Sequence, residues 1–128
     1  FLLRFLNNNS LFLSKRVMDF LWEKQVVAAN NIANSETPGY KAKYVTFEEE
    51  LRSRVNAAAH KTGTDIREAI GSARAEVNYT NDETTRADGN NVNVDVESME
   101  VAKTGIQYEY MMKAFNDDIT RLRTVIKG

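Results

Sequence analysis

The chain has 128 residues, of which 42% are apolar, and this is enough for one ordinary domain with a modest core. It contains no cysteine, so the sequence excludes a disulfide framework and a thiolate metal site. The formal net charge is −1, so bulk electrostatics predict neither nucleic acid nor an anionic membrane as a partner.

The first sixteen residues, FLLRFLNNNSLFLSKR, are rich in apolar side chains but are interrupted by Arg4 and by the asparagines at 7–9. A secretory signal peptide needs an unbroken apolar segment followed by a cleavage site of small residues, and this stretch has neither. No apolar run in the sequence reaches the roughly 20 residues of a membrane-spanning helix. We therefore expect that any export of this protein occurs without a cleaved signal peptide.

A first helix is predicted from about Leu11 to Asn34. Leu11, Met18 and Ile32 share one heptad phase, and Leu21 and Ala28 share the companion phase. This spacing is typical of a helix of several turns with a broad apolar face.

The end of this helix reads AANNIANSETPGYK at 28–41. Asn34 is expected near a helix C-terminus because asparagine tolerates left-handed geometry, and Pro38-Gly39 fits the two central positions of a type II turn. These local rules leave Asn30 and Asn31 unexplained. Because a buried amide without a hydrogen-bond partner is costly, we expect both side chains either to face water or to meet partners.

The middle of the chain is mixed. The capping pattern Thr-Phe-Glu-Glu at 46–49 predicts one helix, and Asp-Ile-Arg-Glu at 65–68 predicts a shorter one that ends near Gly71. Residues 76–80 and 91–96 alternate polar and apolar side chains, which indicates strands. A small hairpin and a loosely ordered loop both fit this pattern.

The last helix is predicted from Asp95, which is expected to cap it, to the C-terminal end of the chain. Its apolar residues recur at alternating steps of four and three, as in a coiled-coil seam. Apart from Gly105, the predicted seam consists of Val101, Tyr108, Met112, Phe115, Ile119, Leu122 and Ile126.

The predicted fold is therefore mainly α. N- and C-terminal helices pair as a coiled coil, with a small mixed or partly disordered insert that holds a short helix and a possible β-hairpin. The expected divisions are 1–41, 42–94 and 95–128, within one structural unit. Because two amphipathic helices alone bury little surface, we expect the chain to be poorly ordered alone and to complete its core against other chains.

A catalytic site is hard to assemble from this sequence. His60 is the only histidine, and no carboxylate is paired with it by spacing. The stretch 88–97 resembles a calcium loop, but its glycine is the second residue rather than the sixth. We expect no catalytic residue, no metal site and no cofactor, and hence no enzyme.

Two stretches resemble the flagellar axial proteins, the family of rod, hook and junction subunits. The first is ANNIAN at 29–34 followed by TPGYK at 37–41. The second is DGNNVNVDVE at 88–97, which leads into the last helix and is similar to the corresponding motif of proximal rod subunits. The short chain agrees with a proximal rod subunit, because hook and distal rod proteins of the family carry larger inserted domains.

The resemblance implies a structural subunit of the flagellar basal-body proximal rod, the hollow drive shaft that transmits torque in the periplasm. The implied partners are other copies of the chain, neighbouring rod subunits, the adaptor subunit between membrane ring and rod, and the flagellar type III export gate. No nucleic acid and no small-molecule substrate are expected. The motif residues implied in subunit packing are Asn30, Asn31, Ile32, Asn34, Thr37, Pro38, Gly39 and Tyr40.

Early export substrates of this family also carry Phe and an apolar residue four positions apart near the start, and Phe1 and Phe5 have that spacing. A frayed helix start explains the same residues equally well. Two alternatives to the proximal rod stay open, namely another axial rod subunit and a cytoplasmic coiled-coil adaptor that does not polymerise.

Overall fold

The computed structural model describes the backbone of residues 2–58, 63–80 and 86–127 and the side chains of 11–57, 67–80 and 86–127. The elements in chain order are α1 (Leu2–Ala33), β1 (Lys43–Thr46), α2 (Glu48–Ala58), α3 (Gly63–Ser72), β2 (Glu76–Tyr79) and α4 (Val94–Lys127). The prediction of a mainly α fold with long terminal helices and a small insert is confirmed. Helix α1 begins nine residues before the predicted Leu11, because it continues through the asparagines at 7–9.

The two terminal helices pack side by side and run in opposite directions. Lys24 Nζ of α1 lies 3.6 Å from Glu100 Oε1 of α4, and the rings of Trp22 and Tyr108 are 6.1 Å apart. Moving toward the N-terminus of α1 therefore means moving toward the C-terminus of α4. At 1.5 Å per residue, each helix is about 50 Å long.

The sheet has two antiparallel strands, but they are not the predicted pair. Strand β2 pairs with β1 in a register that runs from Lys43↔Tyr79 to Thr46↔Glu76. The predicted strand at 91–96 is wrong, since α4 already begins at Val94. Asn91 bonds to the backbone of Ala42 and Asn93 bonds to the backbone at the start of α4, so their alternation with valine does not reflect strand pleating.

Two predicted helix caps are also wrong. The Asn93 side-chain oxygen accepts hydrogen bonds from the backbone N–H groups of Asp95 and Val96, so Asn93, rather than Asp95, caps α4. Thr46 belongs to β1 and accepts a bond from the Asn78 side chain, while the carbonyl of Phe47 accepts the first helical bond of α2. In both places the cap lies one or two residues from the predicted one.

The core lies between α1 and the insert rather than between the two long helices. It consists of Phe20, Val45, Phe47, Leu51, Ile70 and Ala73. The rings of Phe20 and Phe47 are stacked with their centroids 4.2 Å apart. By contrast, the only buried residue among the 34 of α4, all of which are described, is Thr104. Helix α4 is thus held against α1 with most of its surface open.

An ion cluster ties α1, α2 and α4 together beside this core. Lys24 Nζ lies 2.7 Å from Glu48 Oε1, and it also contacts Glu100 and the face of the Phe47 ring. Burial acts to raise the pKa of Glu48, but the hydrogen bond and charge of Lys24, together with hydrogen bonds from backbone N–H groups, outweigh it. The pKa of Glu48 therefore lies below its ordinary value. Within the described residues, no helix combines the length and the hydropathy of a membrane span.

Candidate functional site

The candidate site is the joint where the end of α1, the start of β1 and the approach to α4 meet, comprising residues 30–43 and 86–93. Asn31, which is 0% exposed, forms its centre. Its Nδ2 donates to the carbonyl of Lys43 at 2.7 Å, and its Oδ1 accepts from the N–H of Lys43 at 3.0 Å. The carboxamide therefore satisfies both backbone groups of Lys43, as a neighbouring strand would.

Asn91 completes the sheet on the other side. Thr80 N–H donates to the carbonyl of Ala42 at 2.7 Å, so these two residues extend the β1–β2 ladder. Instead of returning a direct bond, Ala42 N–H donates to Asn91 Oδ1 at 2.7 Å, and Asn91 Nδ2 donates to the carbonyl of Thr80 at 3.1 Å. Two asparagine side chains, from distant parts of the sequence, thus act as substitutes for strand backbone.

Asn90 links the second motif to the end of α1. Its Nδ2 donates to the carbonyls of Asn34 at 2.8 Å and Thr37 at 2.9 Å, and its Oδ1 accepts from the N–H of Val92 at 2.8 Å. The residue is 0% exposed, and these bonds occupy both ends of its amide. The two sequence motifs at 29–41 and 88–97 are therefore the two halves of one structure.

The predicted type II turn is present. Tyr40 N–H donates to the carbonyl of Thr37 at 3.2 Å, and Gly39, the third residue of the turn, has a φ of 72°. Gly39 N–H also donates to the carbonyl of Asp88 at 2.6 Å. A Cβ on Gly89, where φ is 77°, would lie 3.6 Å from the Gly39 Cα, so two glycine turns meet backbone to backbone.

The remaining motif residues form the outer rim of the joint. The Tyr40 hydroxyl lies 3.0 Å from the side-chain oxygens of both Asn30 and Asn31 and can donate to either. Asn34 Nδ2 donates to the carbonyl of Asn30, and Thr37 Oγ1 donates to Asn34 Oδ1. Burial, followed by the nearby charge of Glu97, raises the pKa of Tyr40 above its ordinary value.

Three details of this rim concern the predictions. The prediction of a left-handed backbone at Asn34 is wrong. Among the described residues, positive φ angles occur only at Gly39 and Gly89. Ile32 is half-buried, and Pro38 is exposed. Both amides that the helix-end rules left unexplained have partners within the chain.

The predicted seam of α4 is only partly turned toward α1. Its half-buried members are Val101, Tyr108, Phe115, Ile119 and Leu122, whereas Met112 is 42% and Ile126 is 76% exposed. Met111 is half-buried and Thr104 is buried, and sequence reasoning placed neither in the seam. A threonine in a helix can be buried because its hydroxyl can donate to the carbonyl four residues earlier. The Thr104 hydroxyl does so, to the carbonyl of Glu100 at 2.7 Å, and this is the sequence signal that could have placed Thr104 on the buried face.

Apolar side chains cover much of the outer surface around the two long helices. Those of α4 that are largely exposed include Met99, Ile106, Tyr110, Val125 and Ile126. An exposed apolar surface of this extent marks an interaction site rather than the surface of an isolated protein.

No group of acidic or histidine side chains that could hold a metal ion occurs in the part of the chain that the structure describes.

Two predictions fall outside these observations. His60 and the predicted export motif, Phe1 and Phe5, lie outside the residues whose side chains the structure describes.

A helical chain whose long α4 has one buried residue, and whose long helices expose many apolar side chains, is typical of structural subunits that pack on other chains. Comparison with known proteins identifies the class further. The family described as "Flagella basal body rod protein" matches residues 23–41, which contain residues 30–41 of the joint.

Relatives extend this match over most of the chain. "Flagellar basal body rod protein FlgB" of Bacillus subtilis (strain 168) is 36% identical over 109 residues, covering 82% of this chain and 83% of the relative. A Cereibacter sphaeroides (strain ATCC 17023) protein of the same name is 39% identical, covering 77% and 79%. The Escherichia coli (strain K12) protein of that name is 28% identical, covering 83% and 84%.

The chain belongs to the FlgB family of flagellar basal body rod proteins. The predicted resemblance is confirmed, as is the prediction that the chain is a structural protein and not an enzyme, since the relatives are named as rod components.

Proposed function

We propose that this chain is a structural subunit of the proximal part of the flagellar rod, assembled from repeated copies into a hollow drive shaft. The carrying observation is α4, which is 34 residues long and has one buried residue. A helix of this length that buries so little within its own chain needs other chains to cover its apolar side chains. Membership of the FlgB family supports the rod as the place where those chains are found.

The two parts of the chain have different roles in this proposal. The segments 1–41 and 95–128 form the axial helices that pack on neighbouring subunits, and 42–94 forms the insert. Asn31 and Asn90 bond the insert to the end of α1. Asn91, three residues before α4, bonds the approach to that helix to the backbone of Ala42 and Thr80. Because such bonds fix the backbone where α1 ends and α4 is approached, we expect the joint to contribute to torque transfer between the two helices.

The partners we propose are other copies, neighbouring rod subunits and the adaptor subunit that joins the rod to the membrane ring. The proposed location is the periplasmic part of the basal body. It is reached through the flagellar type III export gate without a cleaved signal peptide, with Phe1 and Phe5 as the export motif. A Phe5→Ala chain should then accumulate in the cytoplasm, whereas a Phe12→Ala chain should be exported normally.

Basal bodies purified from the native cells test the function. Mass spectrometry should find the chain at several copies per particle, and deletion of its gene should remove it together with the rest of the rod. Recovery of the chain only from the soluble cytoplasm would contradict the proposal and favour an adaptor that does not polymerise. Its recovery from a different segment of the rod would favour another axial subunit.

A further inference from the structure

An apolar groove lies on one side of the α1–α4 pair, and it has a volume of about 670 Å³. Helix α1 forms its floor, α2 forms one wall and α4 forms the other. The lining residues that matter here are Val17 and Leu21 on the floor, Leu51 and Val55 on α2, and Ile106 and Tyr110 on α4. Three helices therefore border one apolar groove that is open to solvent.

A row of apolar side chains, here called the ridge, lies on the other side of the same pair and borders a shallow open hollow. Met18, Trp22 and Val26 are spaced four residues apart on α1, so they form one row along the helix. Trp22, the only tryptophan, is 59% exposed, and Val26 is 50% exposed. Tyr108 borders this ridge, whereas Ile106 and Tyr110 border the groove, so the two surfaces flank α4.

We propose that the Trp22 ridge of one copy docks into the apolar groove of the next copy. The lengths agree, because the nine residues of the ridge and the roughly nine residues of the α2 wall each span about 12–14 Å. Rows of this kind pack into helix grooves, and a partly exposed tryptophan is the residue type most enriched at interface hot spots.

Charge supports the same pairing. Arg52 lines the groove and Glu23 borders the ridge, and neither forms an ion pair with a described residue. Docking would bring these opposite charges together between copies. Glu48, the acidic residue of the groove, is already compensated by Lys24.

The contact joins two different surfaces, so each bound copy presents a free ridge or groove to another. Such a heterologous contact propagates into a ring or an open helical array, whereas a contact between identical surfaces stops at a dimer. The inference rests on the proposed rod function and specifies which surfaces of the subunits meet.

Because the chain has no native cysteine, introduced cysteines report this contact directly. Cells would carry two alleles, Val26→Cys on the ridge and Asn56→Cys on the groove, and their basal bodies would be purified and mildly oxidised. We expect a disulfide-linked dimer whose peptides carry positions 26 and 56. The control pairs Val26→Cys with Met99→Cys, an exposed position of α4 outside both surfaces, and should give only monomer.

A charge exchange provides a second measurement that a folding defect would not mimic. Glu23→Arg and Arg52→Glu should each reduce incorporation into basal bodies, and the double variant should restore it. Incorporation of the chain without the 26–56 link, or with 26–26 dimers or a foreign protein on position 56, would overturn the inference and leave the rod function intact. Absence of the chain from basal bodies would overturn both.

Discussion

Replacing Asn31 by alanine would remove the carboxamide that stands in for a strand beside β1. The side chain is fully buried and bonds to both backbone groups of Lys43, at 2.7 and 3.0 Å. Each lost bond costs about 1 kcal/mol net, and a buried partner left without a bond adds about 1–3 kcal/mol. We therefore expect the free energy of unfolding to fall by about 3 kcal/mol.

Asn30→Ala is the matched control, because it changes the same residue type one position earlier. Asn30 is exposed, and among the described residues its side chain accepts bonds only from Asn34 and Tyr40, which water can replace. Its loss should therefore cost about 1 kcal/mol or less. The expected difference between the two variants is about 2 kcal/mol, which corresponds to a factor of roughly 30 in the folding equilibrium constant.

Urea unfolding followed by far-ultraviolet circular dichroism measures this difference. All variants should be compared at one concentration of a stabilising osmolyte, so that the folded state of the free chain is populated. Equal losses of unfolding free energy for Asn31→Ala and Asn30→Ala would refute the role assigned to the buried amide.

Three further predictions concern the turn, the last helix and the ion cluster. Gly39→Ala should lower the free energy of unfolding by about 1 kcal/mol, because φ there is positive and no atom lies near the new Cβ. Gly105→Ala in α4 is the control and should raise the free energy of unfolding slightly. Equal urea midpoints for the two variants would contradict this prediction. Phe115→Asp should abolish rod assembly, and it should destabilise the chain by about 2 kcal/mol more than Met112→Asp, because Met112 is exposed whereas Phe115 is half-buried. Normal motility of the Phe115→Asp variant would count against the reasoning. The lowered pKa of Glu48 means that its charged form stabilises the fold above its ordinary pKa of 4.5 and that this contribution is lost as the pH falls through the lower folded value. The melting temperatures of wild type and Glu48→Gln should therefore differ at neutral pH and converge in acid, and a difference that is independent of pH would disprove the charge effect.

Several features of this protein follow from the local sequence alone. The Pro38-Gly39 pair determines the turn, because proline fixes one φ angle and glycine permits the positive φ of the next residue. The alternating steps of four and three in the last 34 residues determine a long amphipathic helix, since only a helix brings those side chains to one face. The motifs at 29–41 and 88–97 were sufficient to predict the family.

Tertiary structure decided which residues meet. Residues 43–46 became the partner of β2 although Thr46 also begins a helix-capping pattern, because strand pairing depends on segments that are distant in the chain. The buried face of α4 contains Thr104 rather than Met112, since heptad phases one residue apart are equally periodic and only the fit against α1 selects between them. Likewise, the sequence marks Asn31 as an unexplained amide and Asn91 as part of a family motif, but only the fold brings each within 3.1 Å of the backbone groups that it satisfies.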